Sequence, residues 1–162
     1  MRFILIDHIE TLEPGKRITG YKQIGQHEDY FADHFPGFPV VPGVLVLESL
    51  AQLGGRLVEA TVKETSGRRV LPMLGKAEQA KFVRAVRPGD RLDLVCEAVA
   101  IGDGAARVNG TATVAGKRAC TATIMYAMID VEQAGEQMDP AQTAQLHAWS
   151  DRVWRELRGH RS

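Results

Sequence analysis

A histidine at position 34 and a glutamate at position 48 are the residues whose types and setting could do chemistry together. His34 opens the run His34-Phe35-Pro36-Gly37-Phe38-Pro39-Val40-Val41-Pro42-Gly43, whose prolines and glycines rule out a long regular element. Histidine is the side chain best suited to exchange a proton near neutral pH. Taken alone, a loop histidine has structural and solvated readings as well as a catalytic one. Glu48 narrows the choice. It sits in the second turn of a helix that, Ser49 apart, is otherwise apolar from Val44 to Ala51. A carboxylate there is costly to desolvate unless it is hydrogen-bonded, paired or open to a polar pocket. Its other reading is a glutamate that emerges through a gap to bond backbone. A His and a Glu flanking one pocket make an acid/base pair, although spacing alone does not establish that they meet.

Two further positions belong to the same stretch. Gly43 follows Pro42 at the start of the helix, where backbone N–H groups have no intrahelical acceptor. Such a donor, with the helix dipole behind it, can hold an oxyanion or polarise a carbonyl, and glycine lets a substrate approach closely. Gln52 lies one turn beyond Glu48, on the same face, in a supporting position.

Other chemistries lack their residues. His8, His27, His147 and His160 form no ligand cluster with cysteine or carboxylate, so no metal site is expected. No Gly-rich phosphate loop and no Ser-centred nucleophile elbow occurs. Cys96 and Cys120 sit in strand-like sequence without metal-ligand spacing and read as buried free thiols. Lys plus Arg and Asp plus Glu both number 20, which gives no nucleic-acid footprint, although a local basic patch is compatible with a neutral total. The apolar run Phe3–Ile6 is too short for a secretory signal or a membrane span, and the expected compartment is the cytoplasm.

The elements that must position these residues follow from periodicity. With 162 residues the chain is long enough for one domain with a sizeable core. Phe3–Ile6 reads as a short strand or the entry to one, and 17–24 as a strand. Val46, Leu50, Leu53, Leu57 and Ala60 recur at helical spacing, and Leu45, Leu47 and Ala51 widen the face, so a buried helix is expected over about 43–60. Gly54-Gly55 inside it marks either close packing or a bend. Strand-like segments at 71–82, 91–101, 106–114 and 118–129 are separated by Arg87-Pro88-Gly89-Asp90, Gly102-Asp103-Gly104 and Ala115-Gly116-Lys117. The last three strands make an antiparallel meander, one face of which the helix must cover. The expectation is an α+β fold, a curved antiparallel sheet wrapped around one long central helix. The segment 132–137 reads as a polar linker. Asp139-Pro140 then begins a short amphipathic C-terminal helix striped by Leu146, Trp149, Val153 and Leu157, flanked by Trp154, which packs on its own domain, a sister subunit or another partner.

The run from His34 to Gln52 resembles the active-site motif of the FabZ-type (3R)-hydroxyacyl-[acyl-carrier-protein] dehydratases of type II fatty-acid synthesis, enzymes of the hot-dog fold. A looser likeness covers about residues 3–129, including Lys81-Phe82-Val83-Arg84 and Arg87-Pro88-Gly89-Asp90. The sister dehydratase/isomerase group carries aspartate where this chain has Glu48, so isomerase activity is not implied. The resemblance implies that His34 and Glu48 are the catalytic pair, meeting across a homodimer interface beside an acyl tunnel, and that the Gly43 N–H binds the thioester carbonyl. It also implies substrate contacts at Phe35, Val44, Phe82 and Gln52. The substrate would arrive on the phosphopantetheine arm of an acidic acyl carrier protein, with Lys81, Arg84 and Arg87 as docking charges, and no metal or redox cofactor is needed. A trimer of dimers is the larger assembly the family forms. The hot-dog domain would span 1–131, with an extension over 132–162. The chain departs from the family at Met1–Asp7, which lacks the usual His-Arg-Tyr-Pro-like beginning, and beyond about residue 132. These departures point to a divergent member, with a specialised lipid or polyketide-like pathway as one reading. The rival readings are a hot-dog acyl thioesterase, which would release free acid, and a non-catalytic acyl-binding or assembly subunit.

Overall fold

Alternation of inward and outward side chains builds the sheet. In the computed structural model, which describes residues 1–159, Leu92, Leu94 and Cys96 of β4 (Arg91–Ile101) turn inward. So do Ala106, Val108, Gly110 and Ala112 of β5 (Ala105–Val114), and Cys120, Ala122, Ile124 and Tyr126 of β6 (Lys117–Asp130). Both cysteines are buried free thiols. Three more strands, β1 (His8–Glu13), β2 (Arg17–Gln23) and β3 (Val70–Phe82), complete a six-stranded antiparallel sheet in the order β1-β2-β4-β5-β6-β3.

The helix α1 (Gly43–Ser66) lies on the inward face of this sheet. Leu50, Leu53, Leu57 and Val58 are completely buried against Ile18, Leu94, Val108 and Ile124. The Gly54-Gly55 pair marks close packing. A Cβ at Gly54 would collide with the Tyr126 hydroxyl and lie 3.3 Å from Val108 Cγ1. Its absence lets the Tyr126 O–H donate to the Ala51 carbonyl at 2.7 Å. Gly110 of β5 makes the matching recess under Leu50.

The sheet does not wrap the helix, and that expectation is corrected. No ladder joins β1 to β3, so both are open edges, and α1 packs on one face. The physical reason is that other segments cover the rest of the helix. Ile6, Ile24 and Val41, from the N-terminal segment and the 24–42 loop, join the core with Val153 and Leu157 of the C-terminal helix.

Smaller differences have similarly local causes. α1 runs to Ser66 rather than to about 60, because its last turn is polar and exposed and escapes a hydrophobic-stripe reading. It stops at Gly67, whose φ of 72° is the left-handed cap that glycine adopts freely. Phe3–Ile6 is only the approach to a strand: the Leu5 N–H donates to the Gln52 side chain instead of to a ladder. Part of the expected linker is a one-turn helix, α2 (Val131–Gly135), capped by the Asp130 carboxylate. The C-terminal helix α3 (Pro140–Leu157) is 18 residues long rather than short, and begins with a capping box between Asp139 and Gln142.

Candidate active site

The loop before α1 folds back on itself and holds His34 from several sides. A 3₁₀ turn at Asp29–Ala32 supplies the Tyr30 carbonyl, which accepts from the His34 N–H at 2.9 Å. The Val40 N–H donates to the His34 carbonyl at 3.0 Å, and the Val40 carbonyl lies 2.9 Å from His34 Nδ1. A carbonyl oxygen only accepts, so Nδ1 carries a proton, and in the neutral ring the lone pair is at Nε2. The Phe35 ring stacks on the imidazole, with centroids 4.1 Å apart. Of the two neutral tautomers, the Val40 contact selects the one that can accept a proton at Nε2.

Glu48 is half-buried on α1. Its Oε1 accepts from Gln52 Nε2 at 3.1 Å, and no ion pair reaches it among the described residues. Gln52 is itself fixed, because its Oε1 accepts from the Leu5 N–H at 2.8 Å. That bond sets the amide orientation and turns the N–H side toward Glu48. Nearby, burial first, with Cys96 and Glu48 adding, pushes the Tyr126 phenol well above its ordinary range. The phenol stays neutral and anchors the helix backbone beside Gln52.

Gly43 is the first residue of α1, and the Phe82 ring from the end of β3 lies over it. A Cβ at Gly43 would stand 3.0 Å from Phe82 Cδ1, so the position tolerates only glycine without displacement of that ring. Val44, Phe82, Val83, Phe35 and Phe38 leave a group of large apolar side chains at least half exposed around the helix start. The loop is tied to the segment after β3 by the Val41 N–H, which donates to the Val86 carbonyl at 2.8 Å, and by Arg87, whose guanidinium sits 4.8 Å from the Phe38 ring centroid. Lys81 and Arg84 are exposed, and neither makes an ion pair among the described residues.

The structure thus brings together Gly43, Val44 and Phe82 at the helix start, His34 with Phe35, and Glu48 with Gln52. It does not join His34 to Glu48: no hydrogen bond links them among the described residues. Among those residues, no group of histidine, cysteine and carboxylate could hold a metal ion, and His160 lies outside them. No described helix is long and apolar enough to cross a membrane. Two contributors escaped the sequence reading, the Leu5 N–H behind Gln52 and the Val40 carbonyl behind His34. Both are backbone groups, which every residue carries, so side-chain pattern gives no signal for them.

Residues 1–123 match the family described as FabA-like domain. The 3-hydroxyacyl-[acyl-carrier-protein] dehydratase FabZ of Clostridium acetobutylicum is 42% identical over 126 residues, covering 78% of this chain and 87% of that protein. The chain belongs to the FabZ-type dehydratase family. The FabZ of Chloroflexus aggregans is 41% identical over 128 residues, covering 79% of this chain and 87% of its own length. Among solved structures, the dehydratase heterocomplex ApeI:P from Xenorhabdus doucetiae superposes with a TM-score of 0.65 at 17% identity, covering 84% of this chain and 90% of that one. A hypothetical thioesterase from Streptococcus pneumoniae with coenzyme A gives 0.57 at 15% identity, covering 76% and 85%. At such identities the structural likeness establishes the shared hot-dog fold alone. The family match stops short of α2 and α3, which extend beyond it.

Proposed function

We propose that this FabZ-type chain dehydrates (3R)-3-hydroxyacyl-[acyl-carrier-protein] to the trans-2-enoyl thioester in fatty-acid or related lipid biosynthesis, with His34 and Glu48 as the acid/base pair. The observation that carries the reading is the 42% identity to a dehydratase of that activity over 87% of its length. The geometry supplies a consistent mechanism. The thioester carbonyl accepts from the Gly43 N–H at the α1 N-terminus, where the helix dipole favours developing negative charge. The His34 Nε2 lone pair takes the C2 proton as that charge grows. The C2–C3 double bond then forms as the C3–O bond breaks, and Glu48 gives its proton to the departing hydroxyl, which leaves as water. Proton transfer from His34 back to Glu48 resets the site. Gln52 holds the Glu48 carboxyl, and Phe35, Val44 and Phe82 line the approach for the acyl thioester.

The pair is completed by a second subunit. Two features support this: His34 and Glu48 are not bonded to one another within the chain, and β3 is an open edge with Met73, Leu74 and Phe82, and Val83 just after it, about half exposed or more. An apolar surface of that kind on an unpaired strand is suited to a homodimer interface, and a trimer of dimers is the larger assembly in keeping with the family. Lys81, Arg84 and Arg87, exposed at and just after the end of β3, receive the acidic acyl carrier protein. Catalysis resides in residues 1–131, with 132–162 as an extension, and the enzyme works in the cytoplasm.

The test is turnover of a (3R)-3-hydroxyacyl carrier-protein thioester followed by mass. Wild type is expected to form enoyl product with loss of water, and His34→Ala and Glu48→Gln, folded as the wild type, to form none. Free acid as the main product, or no product across short and long chains beside an active control enzyme, overturns the proposal.

A further inference from the structure

A cavity of about 560 Å³ lies between α3 and the far end of α1, within the usual size of small-molecule sites. It is separate from the catalytic residues. Its α1 wall is Glu59, Ala60, Lys63 and Glu64, at the opposite end of the helix from Gly43, and its other main wall is α3, which lies beyond the family-matched residues 1–123. Leu12, Leu71, Val131 and Leu146 form apolar lining.

The charges around it do not cancel. Arg69 is paired with Asp151 at 2.6 Å and Arg68 with Asp130 at 2.9 Å. Glu59 is occupied by Arg56 and by the Trp154 N–H. That leaves Lys63, Arg155 and Arg158, which make no ion pair among the described residues, against the single carboxylate of Glu64. His147, also in the lining, has a buried Nε2 with no hydrogen-bond partner among the described residues. Buried polar atoms of native proteins nearly always have a partner.

We propose that this cavity binds a small amphipathic anion, its apolar body against Leu71, Val131 and Leu146 and its carboxylate or phosphate head among Lys63, Arg155 and Arg158. The head or an adjacent oxygen supplies the missing partner of His147. Such a site is distinct from substrate turnover and depends on the C-terminal extension for one of its walls.

The full-length protein is titrated by calorimetry with octanoate, octyl phosphate and, as the uncharged counterpart, octanol. At least one anion is expected to bind, more tightly than octanol, and whichever binds better names the head group. The double substitution Lys63→Gln/Arg155→Gln, on exposed positions outside the catalytic residues, is expected to weaken that anion by about tenfold, as loss of two partly screened charge contacts allows. His147→Phe is expected to weaken it as well, while enoyl formation by either variant stays at the wild-type rate. Failure of both anions to bind at millimolar concentration overturns the proposal. So does anion binding that is unchanged in the double variant and in His147→Phe, since the ligand then sits elsewhere.

Discussion

α1 carries two glutamates that are at least partly buried, one toward each end of the helix, and their surroundings differ. Glu59 is satisfied: its Oε2 accepts from Arg56 at 2.9 Å and from the Trp154 indole N–H at 2.8 Å, and the Arg56 cation packs beside both Trp149 and Trp154. Glu48 accepts one bond, from the neutral Gln52 amide, and faces no cation among the described residues. At the α3 end the Glu59 carboxylate is closed off by the protein's own side chains, beside the cavity that α3 walls. The Gly43 end is ringed by exposed Phe35, Val44 and Phe82. A carboxylate whose bonds are all used serves to hold two helices together. One left with free bonding capacity in apolar sequence is available to a substrate.

The comparison breaks most sharply on turnover. Glu48→Gln should lower kcat by about 10²–10⁴-fold, the usual contribution of a positioned acid or base. Its stability should change by no more than about 0.5 kcal/mol in urea unfolding, because no ion pair is lost. Glu59→Ala should do the reverse. It leaves the Arg56 cation without its partner in a site where both side chains are mostly buried, 11% and 15% exposed, and should cost about 3 kcal/mol of stability, with kcat within a factor of a few of wild type. Equal stability losses in the two variants would dissolve the distinction.

Acidity sharpens the same contrast. Burial pushes the Glu59 carboxyl above its ordinary value, against the opposing pull of Arg56 and the Trp154 N–H. A raised folded value means the contribution is fully present below the ordinary glutamate pKa and is lost as pH rises through the raised value. Urea-unfolding curves across the acid range should therefore show this fall in wild type and lack it in Glu59→Gln. Closer to the middle of the helix, Gly54→Ala drives a methyl into the Tyr126 hydroxyl and should cost about 1–3 kcal/mol through overpacking. The smallest effect is expected at the α3 start. Asp139→Ala removes one half of the capping box and should cost about 1 kcal/mol, read as a lower thermal midpoint with unchanged turnover.

Much of this was legible before the structure. Glu48 stood out because a carboxylate among Val44–Ala51 is anomalous, and the Gly-rich turns at 102–104 and 115–117 delimit β4, β5 and β6 as alternation requires. That the sheet stays open instead of wrapping the helix was not legible, because alternation shows that one face of each strand is covered but not how far the sheet bends. The cover on the second side of α1 comes from Ile6, Val41, Val153 and Leu157, distant in sequence and carrying no shared pattern. The orientation of Gln52 by the Leu5 N–H and of His34 by the Val40 carbonyl rests on backbone groups without sequence identity.

The central claim is that one dehydration site takes His34 from one subunit and Glu48 from its partner. Mixing unfolded His34→Ala and Glu48→Gln chains and refolding them together tests it most directly, with mixed dimers verified by native mass spectrometry. The account predicts that enoyl formation, absent from each variant alone, returns in the mixture, because each mixed dimer contains one site with both residues intact. Mixed dimers that form in quantity and remain inactive would contradict it.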